Sequence, residues 1–342
     1  MNGNYEMPTT KRVICNEPSL VDPNCPVNST KPSATSMLVS PRPIFWFLLS
    51  STTLRASSSL STSSATRTIL ITGATDGIGR HTAQRLAKDG TNHLLLHGRR
   101  PKVGQELVDE VLNAGALSAT YFNADLADLQ QVEQLAKTIL EMESISSIDV
   151  LINNAGVFDP TPSKSHQGYD MTWAVNVMAP FLLTRRLLPL VAASKDPCPR
   201  IITTSSISQS YSLPSLDEVF AQNDKPRSAH AAYSDSKLGD RMFTVELAKI
   251  LSNNPKYNRI KCLTMDPGTV NTKMLLAGWG ACGIPVRKAD NTYMLATDYG
   301  AQQESGSYHF GGGGSRDANN VQKRQELWKR LEETTGCTYG DI

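Results

Sequence analysis

The sequence predicts an α/β protein built on one doubly wound parallel sheet with helices on both faces. From Thr68 onward, short apolar runs alternate with segments of helical periodicity, the pattern of repeated strand–helix–strand units. The first of these runs ends in a glycine-rich turn. The length of 342 residues and the ordinary composition allow a large hydrophobic core.

Six segments are predicted as strands because they are short, apolar and bounded by polar or turn-forming residues. They are residues 68–72, 93–97, 120–123, 150–153, 200–204 and 260–265. In a doubly wound sheet, ligands bind at the carboxyl ends of the strands. We therefore expect the binding residues directly after these segments.

Helices are predicted between and after the strands, where apolar residues recur at helical spacing. These segments are residues 78–88, 104–113, 130–141, 171–191 and 233–251. Residues 318–333 form a further amphipathic segment with Val321, Leu327, Trp328 and Leu331 on one face. We expect this last helix to serve structural packing.

The charge of the chain argues against a nucleic-acid partner. The 34 basic and 32 acidic residues give a net charge of +2. Six basic and three acidic residues lie in the first 67 positions, which leaves 28 basic and 29 acidic residues in the rest. A near-neutral domain lacks the basic surface that binds nucleic acid.

Residues 1–67 differ in composition from residues 68–342, which we interpret as the folded domain. No acidic residue occurs from Pro26 to Arg67, and serine and threonine are abundant there. This composition is typical of an organellar transit peptide and equally of a disordered low-complexity tail. A transit peptide would require translation to start at Met37 and would direct the domain to a mitochondrion or plastid. Otherwise a cytoplasmic location is expected.

The six cysteines are scattered, without a Cys-x-x-Cys pair or zinc-type spacing. They are expected to be free thiols in a reducing compartment, and no metal site is predicted. No uninterrupted apolar run reaches the roughly 18 residues that a membrane-spanning helix needs. The best candidate covers only residues 44–49. We expect no transmembrane segment.

The turn after the first strand reads Thr72-Gly73-Ala74-Thr75-Asp76-Gly77-Ile78-Gly79 and runs into a helix. Glycines let the backbone turn tightly and approach a pyrophosphate, and the helix N-terminus offers free N–H groups. Such a turn can also simply connect a strand to a helix. Its position after the first strand favours a dinucleotide site.

Tyr233-Ser234-Asp235-Ser236-Lys237 places a phenol and an ammonium one helical turn apart. A neighbouring cation favours the phenolate, so this pair could protonate an alkoxide or deprotonate an alcohol. Taken alone, such a pair is more often an inert feature of a helix surface. The functional interpretation depends on the other motifs.

Five motifs occur in the order typical of the short-chain dehydrogenase/reductase family. They are the glycine segment, Asn153-Asn154-Ala155-Gly156, Ser206, Tyr233-x-x-x-Lys237 and Pro267-Gly268. The chain resembles this family over about residues 68–335, and residues 171–184, 232–248, 306–310 and 326–331 are similar to its retinol-dehydrogenase-like group. The resemblance implies a single Rossmann-type domain that uses a nicotinamide dinucleotide.

The resemblance also implies catalytic roles. Tyr233 corresponds to the general acid/base, and Lys237 to the residue that lowers its pKa and binds the nicotinamide ribose. Ser206 corresponds to the residue that holds the substrate oxygen, with Ser205 as the alternative. Asn176 corresponds to the residue that helps hold a water behind the lysine; without the resemblance it would be interpreted as a cap or bend in a helix.

The cofactor contacts implied by the resemblance lie at the ends of five strands. Asp125 would bind the adenine or simply cap a helix, Asn153 would steady the sheet, and Thr272 would contact the nicotinamide carboxamide. The full set, besides Tyr233 and Lys237, is Gly73, Thr75, Asp76, Gly77, Ile78, Gly79, Arg80, Arg99, Asp125, Leu126, Asn153, Ala155, Gly156, Pro267, Gly268, Val270 and Thr272.

The predicted cofactor is NADP(H) rather than NAD(H). The second strand runs into Gly98-Arg99-Arg100, where an NAD enzyme usually carries Asp or Glu. A guanidinium there forms charge-assisted hydrogen bonds to the 2′-phosphate of NADP. We expect Arg99 to make this contact. Arg80 would be a second cation or solvent-facing, and Arg100, before Pro101, is expected to point to water.

The implied reaction is hydride transfer between the nicotinamide and a carbonyl or alcohol of a small lipophilic molecule, such as a retinoid, a steroid, a fatty aldehyde or a ketone. The alternative is a non-catalytic NADP(H)-binding scaffold or redox sensor, against which the intact Ser206, Tyr233 and Lys237 argue. Residues 271–297 are expected to form the substrate lid. The fold is compatible with a homo-oligomer.

Overall fold

The computed structural model describes residues 66–222 and 227–340. All but the last two residues of the segment 1–67 lie outside this part of the chain. The interpretation of that segment as a targeting peptide or a tail therefore stays a prediction. The four cysteines within the described residues are free thiols.

One parallel sheet of seven strands, in the order β3-β2-β1-β4-β5-β6-β7, forms the centre of the domain. The strands are β1 (Arg67–Ile71), β2 (Asn92–Gly98), β3 (Ser118–Asn123), β4 (Val150–Asn153), β5 (Arg200–Thr204), β6 (Lys261–Met265) and β7 (Tyr308–His309). The predicted fold class and all six predicted strands are confirmed. The seventh strand has only two residues, too short for a readable pattern, and pairs with the end of β6.

Eleven α-helices occur in the described residues. They are α1 (Gly77–Ala87), α2 (Pro101–Asn113), α3 (Leu129–Glu141), α4 (Met171–Ala192), α5 (Leu216–Val219), α6 (Ala229–Ser252), α7 (Lys273–Gly278), α8 (Asn291–Ala296), α9 (Asp298–Ala301), α10 (Arg316–Asn319) and α11 (Val321–Thr335). The predicted segment 318–333 is in fact two helices, because the Asn320 side chain caps a new helix start. Helix α6 begins four residues earlier than predicted, where Ser228 caps it.

Alternating strand residues divide the core into two layers. Leu70, Leu95 and Leu151 pack on one face of the sheet with α3, α4, α6 and α11. Ile69, Leu94 and the other intervening residues pack on the opposite face with α1, α2 and α8. This division follows from the period of two along a strand, and it explains why every residue of the central strands β4 and β5 is buried.

Helix α4 is long and apolar enough to be a membrane-span candidate by length and composition, and it is the one such helix in the described residues. However, 78% of its apolar window is buried inside the protein, which is typical of a core helix. Residues Ala174–Met178 form a π-helical segment within it. Such bulges often mark functional positions.

The strand order reverses between β1 and β4. The chain runs outward from β1 to β2 and β3, and then returns to place β4 on the other side of β1. Because the connections on the two sides lie on opposite faces, a crevice opens at the carboxyl ends of β1 and β4. The glycine turn after β1 and the Asn153 to Gly156 segment meet at this crevice.

Candidate active site

A cavity of about 770 Å³ lies at this crevice. It extends from the glycine turn to the middle of the sheet. Most of the residues predicted as contacts line it, namely Gly73, Thr75, Asp76, Gly77, Ile78, Gly79, Arg99, Asp125, Leu126, Ala155, Gly156, Tyr233, Lys237, Pro267 and Thr272. The structure therefore brings six separate parts of the sequence together around one cavity.

The glycine turn leaves no room for side chains. Gly73 has φ of +66°, and a Cβ atom on it would lie 2.8 Å from the Cα atom of Ala155. A Cβ on Gly79 would lie 2.4 Å from the carbonyl oxygen of Gly73. Only glycine fits at both positions, and the exposed backbone N–H groups at the start of α1 face the cavity.

Hydrogen bonds lock the turn against the segment after β4. The Asn154 side chain donates to the carbonyl oxygen of Thr72 at 2.9 Å. The Thr72 hydroxyl accepts from the backbone N–H groups of Asn154 and Ala155, each at 3.0 Å. Asn154 was not predicted as a site residue. Its clamping role depends on the neighbouring strand, which a local motif does not reveal.

His97, at the end of β2, was also missed. Its Nδ1 accepts from the backbone N–H of Gly73 at 3.4 Å, and its Nε2–H donates to the carbonyl of Ala124 at 3.1 Å. Burial lowers the pKa of His97 to about 4, so the ring is neutral at physiological pH. His97 therefore connects the turns after β1, β2 and β3.

Asp76 lies among cations at the cavity entrance. Its carboxylate caps α1 by accepting from Gly77 N–H at 2.8 Å and lies 2.6 Å from the Lys273 ammonium. Burial alone would raise the pKa of Asp76, but the hydrogen bonds from Lys273 and Gly77 outweigh it and the pKa is lowered. Lys273 lines the cavity and was not predicted.

The sequence offers three arginines as contacts for a 2′-phosphate, namely Arg80, Arg99 and Arg100. Arg99 lines the cavity, and its guanidinium is 60% exposed with one contact at 3.8 Å to the carboxylate of Asp125. Arg80 does not line the cavity and instead binds the carboxylate of Glu110 at 2.6 Å.

The Arg100 side chain is about half exposed to water, as expected, and it also lines the cavity. Its guanidinium lies 3.4 Å from the carbonyl of Thr75 and 3.5 Å from the carboxylate of Asp76. Pro101 begins α2, and Arg100 is the N-cap residue, which turns its side chain towards the glycine turn.

Tyr233 lines the inner end of the cavity and shares a hydrogen bond with Ser206, which is buried and does not itself line the cavity. The neighbouring Ser205 hydroxyl instead donates to the carbonyl of Lys237 at 2.6 Å, deep in the protein. Of the two serines, Ser206 thus has the hydroxyl that lies beside the phenol. The choice between the serines as the substrate contact stays a prediction.

The pKa of Tyr233 is raised, contrary to the expected net lowering. Burial is the largest effect and raises it, whereas the charge of Lys237 and the hydrogen bond with Ser206 lower it. The lysine therefore acts in the predicted direction, but burial outweighs it. At neutral pH the phenol carries its proton.

The Lys237 side chain is buried, and it reaches the cavity wall. Its ammonium donates to the carbonyl of Thr204 at 2.8 Å and to the carboxylate of Asp240 at 2.9 Å. Burial alone would lower the pKa of Lys237, but Asp240 and Tyr233 raise it, and the net shift is upward. Two of the three N–H groups of the ammonium donate to Thr204 and Asp240, and the third can donate to a ligand in the cavity.

Asn176 lies in the π-helical segment of α4 behind this site. Its side chain accepts from the N–H of Val157 at 2.8 Å and donates to the carbonyl of Val157 at 3.2 Å and the hydroxyl of Ser236 at 3.0 Å. A Cβ on Gly156 would lie 3.4 Å from Asn176 Oδ1 and 3.7 Å from Lys237 Nζ. Asn176 itself does not line the cavity, so its part in a water relay stays a prediction.

Three other predicted residues, Asn153, Gly268 and Val270, do not line the cavity. Thr272 lines it and also caps a helix. Asn153 is buried and donates to the Thr184 hydroxyl at 3.0 Å, which fits a structural role in the sheet. Gly268 turns with φ of +85°, and Val270 is buried in a bridge to Ile284. The Thr272 hydroxyl caps α7 by accepting from Leu275 N–H at 3.2 Å.

Comparisons with known proteins agree with this architecture. A family model for short chain dehydrogenases matches residues 67–218. Retinol dehydrogenase 14 of Mus musculus is 30% identical over 300 residues, covering 81% of this chain and 84% of the relative. Polyprenol dehydrogenase of Homo sapiens is 28% identical over 291 residues, covering 79% and 85%. The crystal structure of an uncharacterized protein from Mycobacterium paratuberculosis superposes with a TM-score of 0.64 at 26% identity, covering 80% of this chain and 95% of that one.

The chain belongs to the short-chain dehydrogenase/reductase family. Within that family it is a member of the retinol-dehydrogenase-like group, as the motifs predicted. It is therefore an oxidoreductase of the short-chain dehydrogenase kind. The cavity at the strand switch point is the place where such a fold binds a dinucleotide.

Replacing Gly79 with alanine tests the clamp around the glycine turn. The new Cβ would lie 2.4 Å from Gly73 O and 2.6 Å from Asn154 Nδ2. Overpacking of this kind costs about 1–3 kcal/mol, so Gly79→Ala should lower the free energy of unfolding, measured by urea denaturation, by that amount. Gly312→Ala is the control, since its Cβ would meet no atom within 4 Å. Equal stability of the two variants would contradict the clamp.

Proposed function

We propose that this protein is an NADP(H)-dependent oxidoreductase that interconverts an alcohol and a carbonyl on a small lipophilic substrate. The observation that carries the proposal is that Tyr233 and Lys237 line the dinucleotide cavity and that Ser206 lies beside Tyr233. A phenol and a hydroxyl share a hydrogen bond there, with a buried ammonium close by. These groups can hold a substrate oxygen and exchange one proton with it.

The cavity fits a nicotinamide dinucleotide. The turn after β1 excludes side chains where a pyrophosphate must approach the backbone, and the start of α1 offers N–H donors. The free N–H of Lys237 is available to a ribose hydroxyl. When bound, the nicotinamide exchanges a hydride with the substrate carbon. The protein contributes the binding, the orientation and the proton.

The protonated phenol suits carbonyl reduction at neutral pH. Tyr233 would donate its proton to the substrate oxygen, while Ser206 holds the same oxygen. In alcohol oxidation Tyr233 must first lose its proton, and burial raises its pKa. The rate of alcohol oxidation should therefore rise with pH. Asn176, fixed by the backbone of Val157, would hold the relay that restores the proton.

Aromatic rings surround Tyr233 and support a lipophilic substrate. Phe158 lies 5.7 Å and Trp279 5.5 Å from the Tyr233 ring, measured between centroids. Phe158 and Trp279 are 4.6 Å apart, and His230 lies 5.0 Å from Phe158. Gly278 allows this packing, because a Cβ on it would lie 2.7 Å from the Phe158 ring. We name Phe158, His230 and Trp279 the aromatic cluster.

The aromatic cluster joins the lid to the substrate end of the site. Trp279 directly follows α7 in the predicted lid segment 271–297, and its side chain is only partly covered. A substrate that reaches Tyr233 would displace these rings or stack on them. Such contacts favour the binding of substrates with flat or apolar groups. The names of the relatives, retinol dehydrogenase and polyprenol dehydrogenase, denote lipophilic alcohols and support the same class.

Tyr233→Phe should abolish most turnover while it preserves cofactor binding. Only the hydroxyl is lost and the helix is undisturbed, so activity should fall by about 10²–10⁴-fold. NADPH consumption with a panel of retinoid, steroid and fatty aldehydes and ketones measures this loss, and fluorescence titration checks NADPH affinity. Unchanged turnover would contradict the mechanism. A wild-type protein that binds NADPH but reduces nothing in the panel would favour the scaffold or sensor alternative.

Arg99→Asp should weaken NADPH binding by about 10- to 100-fold, because a charge-assisted hydrogen bond contributes about 1.5–3 kcal/mol. NADH affinity should be unchanged or improved. Fluorescence titration of both cofactors measures the preference. Lys102→Asp is the control, since it reverses an exposed charge three residues further along, at the start of α2 and outside the cavity lining. Wild-type protein that binds NADH as tightly as NADPH would refute the assignment.

Trp279→Ala should impair long lipophilic substrates more than small ones. Loss of one stacked ring removes about 1 kcal/mol of contact, which raises the KM several-fold for a retinoid or long-chain aldehyde. The KM for a small ketone should change little. Trp279→Phe retains a ring and should keep most of the preference. An equal effect on large and small substrates would contradict the role of the aromatic cluster.

A further inference from the structure

Asp240 is a buried acid in contact with the site lysine, and no motif singled it out. It lies one turn after Lys237 on α6, with its side chain 1% exposed. Its Oδ2 atom accepts from Lys237 Nζ at 2.9 Å. Its Oδ1 atom has no hydrogen-bond partner among the described residues. A buried carboxylate that is only half satisfied costs stability, so its presence calls for a functional explanation.

The Lys237–Asp240 pair is held in one geometry. The lysine ammonium also donates to the carbonyl of Thr204 at the end of β5, at 2.8 Å. Lys237 Nζ lies 5.7 Å from the centre of the Tyr233 ring. The carboxylate thus fixes the lysine between the sheet and the phenol, and its negative charge lies next to the cation that acts on Tyr233.

We propose that Asp240 is a positioning residue that holds Lys237 and offsets its charge, and thereby sets the pH at which alcohol oxidation becomes fast. This inference rests on the proposed oxidoreductase function. While Asp240 is ionised, the pair presents little net charge to Tyr233 and the phenol keeps its proton. While Asp240 is neutral, Tyr233 faces the uncompensated ammonium and ionises more readily.

The directions of the pKa shifts agree with this geometry. The charge of Lys237 lowers the pKa of Tyr233, whereas that of Asp240 raises it. Burial raises the pKa of Asp240 to about 7, even though Lys237 acts in the opposite direction. Burial thus disfavours the charged form of Asp240, and the Lys237 ammonium favours it.

The other ionisable groups around this pair have their own partners. Asp266, after β6, also raises the pKa of Tyr233, but its carboxylate accepts from the backbone N–H groups of Ile207 and Gly268. On α6, Glu246 pairs with Arg324 of α11 at 2.9 Å, and Arg241 lies over the ring of Tyr308. Asp235 binds Arg227.

From strand β5, the group that contacts the Lys237 ammonium is the uncharged carbonyl of Thr204. Within the described residues, Asp240 is the acid whose side chain contacts the Lys237 ammonium.

Asp240→Asn tests the proposal, because it keeps the shape and an acceptor oxygen but removes the charge. The pH midpoint for alcohol oxidation, taken from kcat/KM, should fall by about one unit or more. An unchanged midpoint would overturn the proposal.

Glu246→Gln is the matched control, since it removes a buried, ion-paired carboxylate from the same helix, away from Lys237. Its pH midpoint should equal that of the wild type. An equal downward shift in Glu246→Gln would show a general electrostatic effect and overturn the specific role of Asp240.

A titration without substrate separates this inference from the proposed function. The difference in tyrosinate absorbance between the wild type and Tyr233→Phe reports the ionisation of Tyr233 alone. The same difference measured in the Asp240→Asn background should have its midpoint at lower pH, even if no substrate has been found. If Asp240→Asn does not fold, the smaller neutral variant Asp240→Ser replaces it. Equal midpoints in the two backgrounds would overturn the proposal, whatever the activity assays show.

Discussion

The contact between the turn after β1 and the turn after β4 is the constraint on which the site depends. The Thr72 hydroxyl accepts hydrogen bonds from the backbone N–H groups of Asn154 and Ala155, and the Thr72 carbonyl accepts one from the Asn154 side chain. Gly73 and Gly79 permit this approach because neither position has room for a Cβ atom. The clamp holds open the crevice at the strand switch point and directs the first N–H groups of α1 into it.

Helix α6 carries the second part of the chemistry, and one buried cation connects it to the sheet. Lys237 bonds the end of β5 through Thr204 and its own helix through Asp240. A buried ammonium is stable only with such partners, so the same contacts that make it tolerable also fix its position relative to Tyr233. Burial then leaves the phenol protonated at neutral pH. The contacts that bury Lys237 and Tyr233 in the fold are thus the same ones that shift the pKa of Tyr233.

Some features could not be read from the sequence because they arise from neighbours distant in the chain. The aromatic cluster combines Phe158 after β4, His230 on α6 and Trp279 after α7. The half-exposed Arg100 side chain also contacts the turn after β1 and lines the cavity, which its position before Pro101 does not indicate. Asp240 would be interpreted as a surface charge from its spacing alone. The two-residue strand β7 has too little local pattern to predict.

The sequence by itself determined the fold class, six of the seven strands, the family and many of the residues that line the cavity. It could do so because strand and helix periodicities are local, and because the family's motifs occur at fixed points after the strands. Only the tertiary structure decided which hydroxyl of Ser205 and Ser206 lies beside Tyr233, that Arg80 binds Glu110, and that burial outweighs Lys237 in its effect on the phenol. Each of these depends on distances and on exclusion of water, which arise when separate segments pack together.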